Sequence, residues 1–142
     1  MLQLTELLCS SAQLKKQYDR HFAQLASRCK LTVNDIHLLL FLADHPKWDT
    51  ARDLSEHMFL PKSCVSRCVD SLSRREFLSL REDERDRRVV HLSLLPASLP
   101  LIEEGRLLRQ EFFSLMCRGV SPEELRQLDD LVQKISNNLR EA

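Results

Sequence analysis

The stretch "PKSCVSRCVDSLSRREF", residues 61–77, carries small hydroxyls and cations at a helical spacing. Projected at 3.6 residues per turn, Val65, Cys68, Val69 and Leu72 fall on one face, at the i, i+3, i+4, i+7 steps of a buried stripe. Ser63, Ser66, Arg67, Asp70 and Arg74 fall on the other, with Lys62 toward the N-terminal edge. From Pro61 to Arg75, four cations (Lys62, Arg67, Arg74 and Arg75) stand against Asp70, a local net charge of +3. Small side chains near a helix start let its backbone approach a nucleic acid closely. Their hydroxyls and the free N–H groups bind phosphate, and Arg makes bidentate contacts to guanine. This face suits the major groove of double-stranded DNA, with Arg52 on the preceding helix added as a contact residue.

A second cluster lies just downstream. In "REDERDRRVVHLSL" all eight residues from Arg81 to Arg88 are charged, and a strand-like alternation follows. A hairpin beside such a helix lies where the neighbouring minor groove runs, and Arg inserted there gains from the negative potential of a narrow A·T-rich groove. Arg85, Arg87 and Arg88 are the candidate contacts. Asp83 and Asp86 are the candidate orienting residues, able to hold guanidinium groups by forked hydrogen bonds. No glycine is needed at the tip if the connection is a longer loop rather than a two-residue turn.

The elements that must position these residues are mainly helical. At 142 residues the chain is long enough for one domain with a real core, and two glycines among many Leu, Glu, Gln and Arg favour helix over sheet. Apolar steps of three and four from Leu4 to Leu25 predict one long amphipathic helix. "LTVNDIHLLLFLADHP" predicts a helix capped by Thr32, ending before Pro46 and buried on most sides. A short helix from about Thr50 to Met58 is followed by one opening at Pro61. Leu78–Arg81 then pairs with the strand up to Leu94. Helices are predicted from about Pro96 to Cys117 and from Ser121, where "SPEE" supplies an N-cap, a proline and acids in the first turn. Leu125, Leu128, Val132, Ile135 and Leu139 follow a 3.5-residue repeat, which suits packing along another helix.

In these stretches, "LTVNDIHLLLFLADHP", "ARDLSEHMFLPKSCVSRCVDSLSRREFLSL" and "DERDRRVVHLSL", the chain resembles the MarR (multiple antibiotic resistance regulator) family of winged helix-turn-helix transcription regulators. The wing pattern D-x-R-D-x-R, here Asp83, Arg85, Asp86 and Arg88, is its most specific part. The resemblance implies Arg88 in the minor groove braced by Asp86, and Ser63, Ser66 and Arg67 on the major groove. It implies an obligate homodimer built from the first and last two helices, often with a ligand pocket between the dimer and DNA-binding parts. The whole reads as a repressor rather than an activator on a pseudo-palindromic operator, released by a small molecule, such as an aromatic effector, or by an oxidative signal. The expected organisation is one MarR-like domain over 1–142: a winged helix-turn-helix lobe over 31–95, with dimerisation helices in 1–30 and 96–142. The chain departs from the family at Glu76, where Gly is usual, and at Leu95, where Thr is usual. A Glu forced into a left-handed conformation there costs of order 1 kcal/mol.

Other features each have two readings. Cys9 and Cys64 are the candidate redox thiols, although Cys is more often a small buried hydrophobe. The five Cys residues are odd in number and scattered, which argues for free thiols and against a disulfide framework. No CxxC or HxxxH pairing supplies a zinc site, and the five dispersed His residues read as surface or half-buried side chains. No cofactor is expected. Leu108, Phe112, Leu115 and Met116 form a stripe that serves either a dimer core or an aromatic effector. The absence of a nucleophile elbow, phosphate loop or HExxH argues against an enzyme. The remaining alternative is a winged helix used for protein binding without sequence-specific DNA contact. Lys plus Arg equal Asp plus Glu at 21 each, so any nucleic-acid site must be local. Without a signal-peptide pattern or membrane-length apolar run, the expected location is the cytoplasm.

Overall fold

The structure, a computed structural model, describes residues 3–142; residues 1 and 2 of the expected 1–30 dimerisation segment lie outside them. It forms two compact units, one extending to Gln110 and the other running from Glu111 to Ala142. The first holds α1 (Leu4–Cys29), α2 (Val33–Asp44), α3 (Ala51–Met58), α4 (Lys62–Arg74), the hairpin β1 (Leu78–Glu82) and β2 (Val90–Leu94), a 3₁₀ turn at Pro96–Ser98 and the first part of α5 (Leu99–Met116). The second holds the end of α5, and α6 (Pro122–Glu141). This is the mainly α fold with one small hairpin that the periodicities predict.

Helix starts follow local chemistry. The Thr32 hydroxyl accepts the Asp35 N–H at 3.1 Å, and the Asp35 carboxylate accepts the Thr32 N–H at 2.9 Å. Thr50 with Asp53 opens α3 in the same reciprocal way, and Ser121 with Glu124 opens α6. Such caps satisfy amide donors that the helix itself leaves unpaired, and each contributes about 1 kcal/mol. Asp35 is buried, and its cap role supplies its hydrogen bonds.

At the end of α4, Glu76 takes the left-handed conformation considered for it. The Glu76 N–H donates to the Ser73 carbonyl at 3.1 Å and the Phe77 N–H to the Leu72 carbonyl at 2.9 Å, a closure that requires a left-handed residue between them. Glu76 occupies it at φ 60°. The turn aims the chain out of α4 and into β1.

The hairpin is antiparallel, with Leu78 opposite Leu94, Leu80 opposite Leu92 and Arg81 opposite His91. Leu78 and Leu92 reach a core shared with Phe22 and Leu25 of α1, Ile36, Leu38 and Leu39 of α2, Leu54 of α3, Val65 and Leu72 of α4, and Ile102 of α5. α5 lies close to α2 at Gly105, where a Cβ would meet a Leu40 methyl at 3.1 Å. Only the second half of α1 is buried there; Leu4, Leu7, Leu8 and Leu14 are exposed. In the second unit no residue of α6 is buried, and Leu128, Val132, Ile135 and Leu139 are 47–72% exposed along the 3.5-residue repeat.

Candidate nucleic-acid interface

The face of α4 divides as the helical projection predicts. Val65, Cys68 and Leu72 are buried and Val69 is half-buried, whereas Lys62, Ser63, Ser66, Arg67, Asp70 and Arg74 are exposed. An open groove of about 450 Å³ brings Arg52 of α3 together with Lys62 and Ser66 of α4, floored by Ala51, Val69 and Leu80 and edged by Asp70. Arg52 is steadied by Glu56, its Nε 3.0 Å from Oε1, and Arg74 is paired to Asp70 at 3.1 Å. Arg75 turns inward. It donates to the Lys30 carbonyl at 2.9 Å and lies over the Phe77 ring, so one of the four cations of the span closes the end of α1.

The wing loop turns without glycine, and none of its residues has a positive φ. Aspartates do the turning. Asp83 Oδ2 accepts the backbone N–H groups of Arg85 and Asp86, each at 3.0 Å, and the Asp83 N–H donates to the Val89 carbonyl at 2.8 Å to close the loop. Asp86 Oδ1 accepts the N–H and Nε of Arg88 at 3.0 and 3.1 Å, while Oδ2 faces Nη2 at 3.3 Å. The forked brace expected for Arg88 is therefore present. For Asp83 the expectation needs correction: its carboxylate holds loop backbone, not a guanidinium, because two amides and a histidine ring occupy its oxygens. Arg88 extends outward with its side chain 91% exposed, and Arg85 and Arg87 are exposed beside it. The Arg88 contacts hold the Asp86 carboxyl below its ordinary range, and the His91 bond does the same first for Asp83.

The sequence reading missed the anchor of this loop. His91 Nε2 lies 2.8 Å from Asp83 Oδ1, and Nδ1 lies 2.9 Å from Asp49 Oδ1, in the connector that leads into α3. The same connector pairs with the outer edge of β2, where the Leu92 N–H donates to the Asp49 carbonyl at 2.7 Å and Thr50 bridges His91. Asp49 first and Asp83 second push the His91 pKa above its ordinary value. Nothing in the spacing pairs residues 42 apart. The one available signal was a histidine on the alternating strand after an acidic loop.

The redox candidates separate. Cys9 is exposed on α1. Cys64 is half-buried, and Asn34 Nδ2 donates to its sulfur at 3.4 Å. Its neighbour Cys68 is buried, and burial followed by Asp35 pushes that thiol up and away from reactivity. The stripe considered for an aromatic effector is divided: Leu108 packs on the core of the first unit, whereas Leu115 and Met116 are exposed in the second. No group of three or more potential metal ligands occurs among the described residues, nor is any described helix long and apolar enough to cross a membrane.

Residues 30–89, from the end of α1 to the wing loop, match the MarR family model. The match covers 60 of the 142 residues, and members of that family are transcription regulators rather than enzymes. The HTH-type transcriptional regulator YsmB of Bacillus subtilis (strain 168) is 29% identical over 91 residues, 64% of this chain and 62% of its own length. The chain thus covers less than two thirds of that relative. A putative MarR-family regulator from Listeria monocytogenes, solved with 26mer DNA, superposes with TM-score 0.81 at 13% identity, covering 98% of this chain and 89% of that one. Bordetella bronchiseptica BpsR, whose DNA binding is regulated by 6-hydroxynicotinic acid, superposes with TM-score 0.74 at 22% identity, covering 92% and 98%. At these identities the likeness carries the fold.

Proposed function

We propose that this chain is a MarR-family regulator that binds a pseudo-palindromic DNA duplex as a homodimer, in the cytoplasm, and represses transcription until a signal releases it. The observation that carries the DNA reading is the pairing, in one lobe, of an exposed hydroxyl-and-cation face on α4 with an Arg88 already held outward by Asp86. Ser63, Ser66 and Lys62 meet phosphate at the start of α4, Arg67 reaches base edges, Arg52 and Arg74 flank them, and Arg85, Arg87 and Arg88 serve the minor groove. The solved relative bound to 26mer DNA supports the same use of this fold.

The dimer reading rests on the apolar stripe of α6 and the exposed leucines at the start of α1, surface that a single copy leaves in water. In this reading 1–30 and 96–142 are the dimerisation segments and 31–95 the DNA-binding lobe. For release we favour a small aromatic acid, on the precedent of BpsR, with oxidation of Cys9 or Cys64 as the other route. A salt titration tests the core of the proposal. Affinity for a duplex enriched from a randomised pool should fall linearly in log salt, with a slope set by the phosphates neutralised. A protein that enriches no duplex, or binds with no salt dependence, is not a DNA-binding regulator of this kind.

A further inference from the structure

His91 connects two elements that DNA would have to find in fixed relation. One ring nitrogen faces Asp49, immediately before the Thr50 cap of α3, and the other faces Asp83, whose second oxygen holds the amides of Arg85 and Asp86. Asp86 in turn grips Arg88. An unbroken chain of contacts thus runs from the connector that leads into α3 to the tip of the wing.

The chemistry of this link depends on one proton. An ionised carboxylate only accepts hydrogen bonds, so both ring nitrogens must donate, and only the imidazolium carries two N–H groups. A neutral ring has one N–H and would turn a lone pair toward the other carboxylate. Cross-strand from His91, Arg81 opposes protonation, while Asp49 from the connector and Asp83 from the loop favour it and prevail. On the flanking helices, Asp53 is committed to the Thr50 N–H and Asp44 to Arg109.

We propose that His91 is a protonation-dependent clasp, a positioning residue that holds the wing in its DNA-reading arrangement, so that affinity for DNA falls as pH rises through the titration of this side chain. The inference rests on the DNA-binding reading above. Its sign follows from the geometry and agrees with the raised pKa of His91: the clasp is whole below the ordinary histidine pKa of about 6.5 and is lost as pH climbs through the higher folded value. Asp83, held below its ordinary range, stays ionised throughout that window. The regulator would then respond to alkaline shift with no small molecule bound.

The test has two arms on the full chain. In the free protein, imidazole resonances followed by NMR should show both nitrogens of His91 protonated to above about pH 6.5, and Asp49→Asn should bring the titration back down. In the second arm, anisotropy measures binding of a duplex enriched by the wild-type protein from a randomised pool at about pH 6. The Kd should rise about tenfold by about pH 8.5, the equivalent of one pKa unit of coupling. Asp49→Asn should weaken binding at the acid end and flatten the profile, although it removes a negative charge and simple electrostatics would tighten binding. His91→Lys, a fixed cation, should flatten the profile while keeping affinity at the alkaline end. Unchanged emission from the single Trp48, stacked 3.7 Å from His57, checks that the connector survives the Asn substitution. A wild-type profile no steeper than that of Asp49→Asn, tighter binding by that variant, or a His91 pKa at or below the ordinary value would each overturn the clasp. If no duplex is enriched at any pH, the DNA reading falls and the affinity statement with it, and the NMR arm still decides whether the clasp exists.

Discussion

Replacing Asp86 with Ala separates a built wing from a merely charged one, because the two predict opposite signs. The carboxylate accepts three contacts from Arg88 within 3.0–3.3 Å, one from its backbone and two from its guanidinium. Without it, Arg88 keeps its charge and its exposure but loses its direction. Ordering a long side chain on binding costs the equivalent of about two- to tenfold in affinity per residue, and that is the loss expected per half-site when the brace is removed. Against this, deleting one negative charge near DNA gains about twofold at most, since solvent and salt screen a pair roughly 10 Å apart. The brace therefore wins, and Asp86→Ala should bind several-fold more weakly. Arg88→Ala should lose more, about tenfold or above per half-site, together with preference for A·T-rich flanks. Anisotropy titrations of both variants at two salt concentrations give the result. If Asp86→Ala binds tighter than the parent, Arg88 acts only as a charge, and the reasoning from its brace is wrong.

Four further outcomes are expected. Glu76→Gly should raise the melting temperature by about 2–4 °C, because relief of a left-handed Glu, of order 1 kcal/mol, exceeds the added freedom of the unfolded chain; Glu76→Ala, which keeps the Cβ, should not, and equal gains in both would refute the strain. Ile135→Lys, in an exposed stripe with no buried residue on its helix, should leave folding intact and shift the proposed dimer toward monomer in sedimentation; a parent that sediments as a monomer, or a variant that sediments like a dimeric parent, would refute α6 as the interface. Arg67→Ala should relax base preference within the major-groove half-site, read by repeating the duplex enrichment; an unchanged motif would mean that Arg67 meets phosphate alone. Under mild peroxide, trapping of sulfenic acid should modify exposed Cys9 first and buried Cys68 last, and early modification of Cys68 would contradict its raised thiol pKa.

What was legible in the sequence was whatever one helix turn or one strand pair contains. Thr32 and Ser121 announce their helices because a cap and its acid lie three residues apart. The two faces of α4 follow from a period alone, and the brace of Arg88 by Asp86 spans two residues. The role of Asp83 was misjudged because the sequence shows which charges are near, not which donors reach first. Two loop amides and His91 occupy it before any guanidinium can. The link from Asp49 to His91 was invisible, being a meeting of elements 42 residues apart that exists only once the connector lies against β2.

The same point explains how a lobe without net positive charge can present a surface suited to DNA. Between residues 31 and 95 there are ten Lys and Arg against eleven Asp and Glu, so counting argues against a polyanionic partner. The structure spends the two signs differently. Asp35 and Asp53 are consumed in capping boxes, Asp44 by Arg109, Asp49 and Asp83 by His91, and Asp86 by Arg88. Asp35, Asp53, Asp83 and Asp86 act as hydrogen-bond acceptors that build helix starts and turn the wing, and although Glu82 and Glu84 stay exposed beside them, Lys62, Arg67, Arg85, Arg87 and Arg88 extend into solvent. What a DNA duplex meets is the arrangement of charge at the surface, not its total. Affinity built this way depends on the carboxylates beneath as much as on the cations above, so neutralising Asp49 or Asp86 should weaken binding to a polyanion.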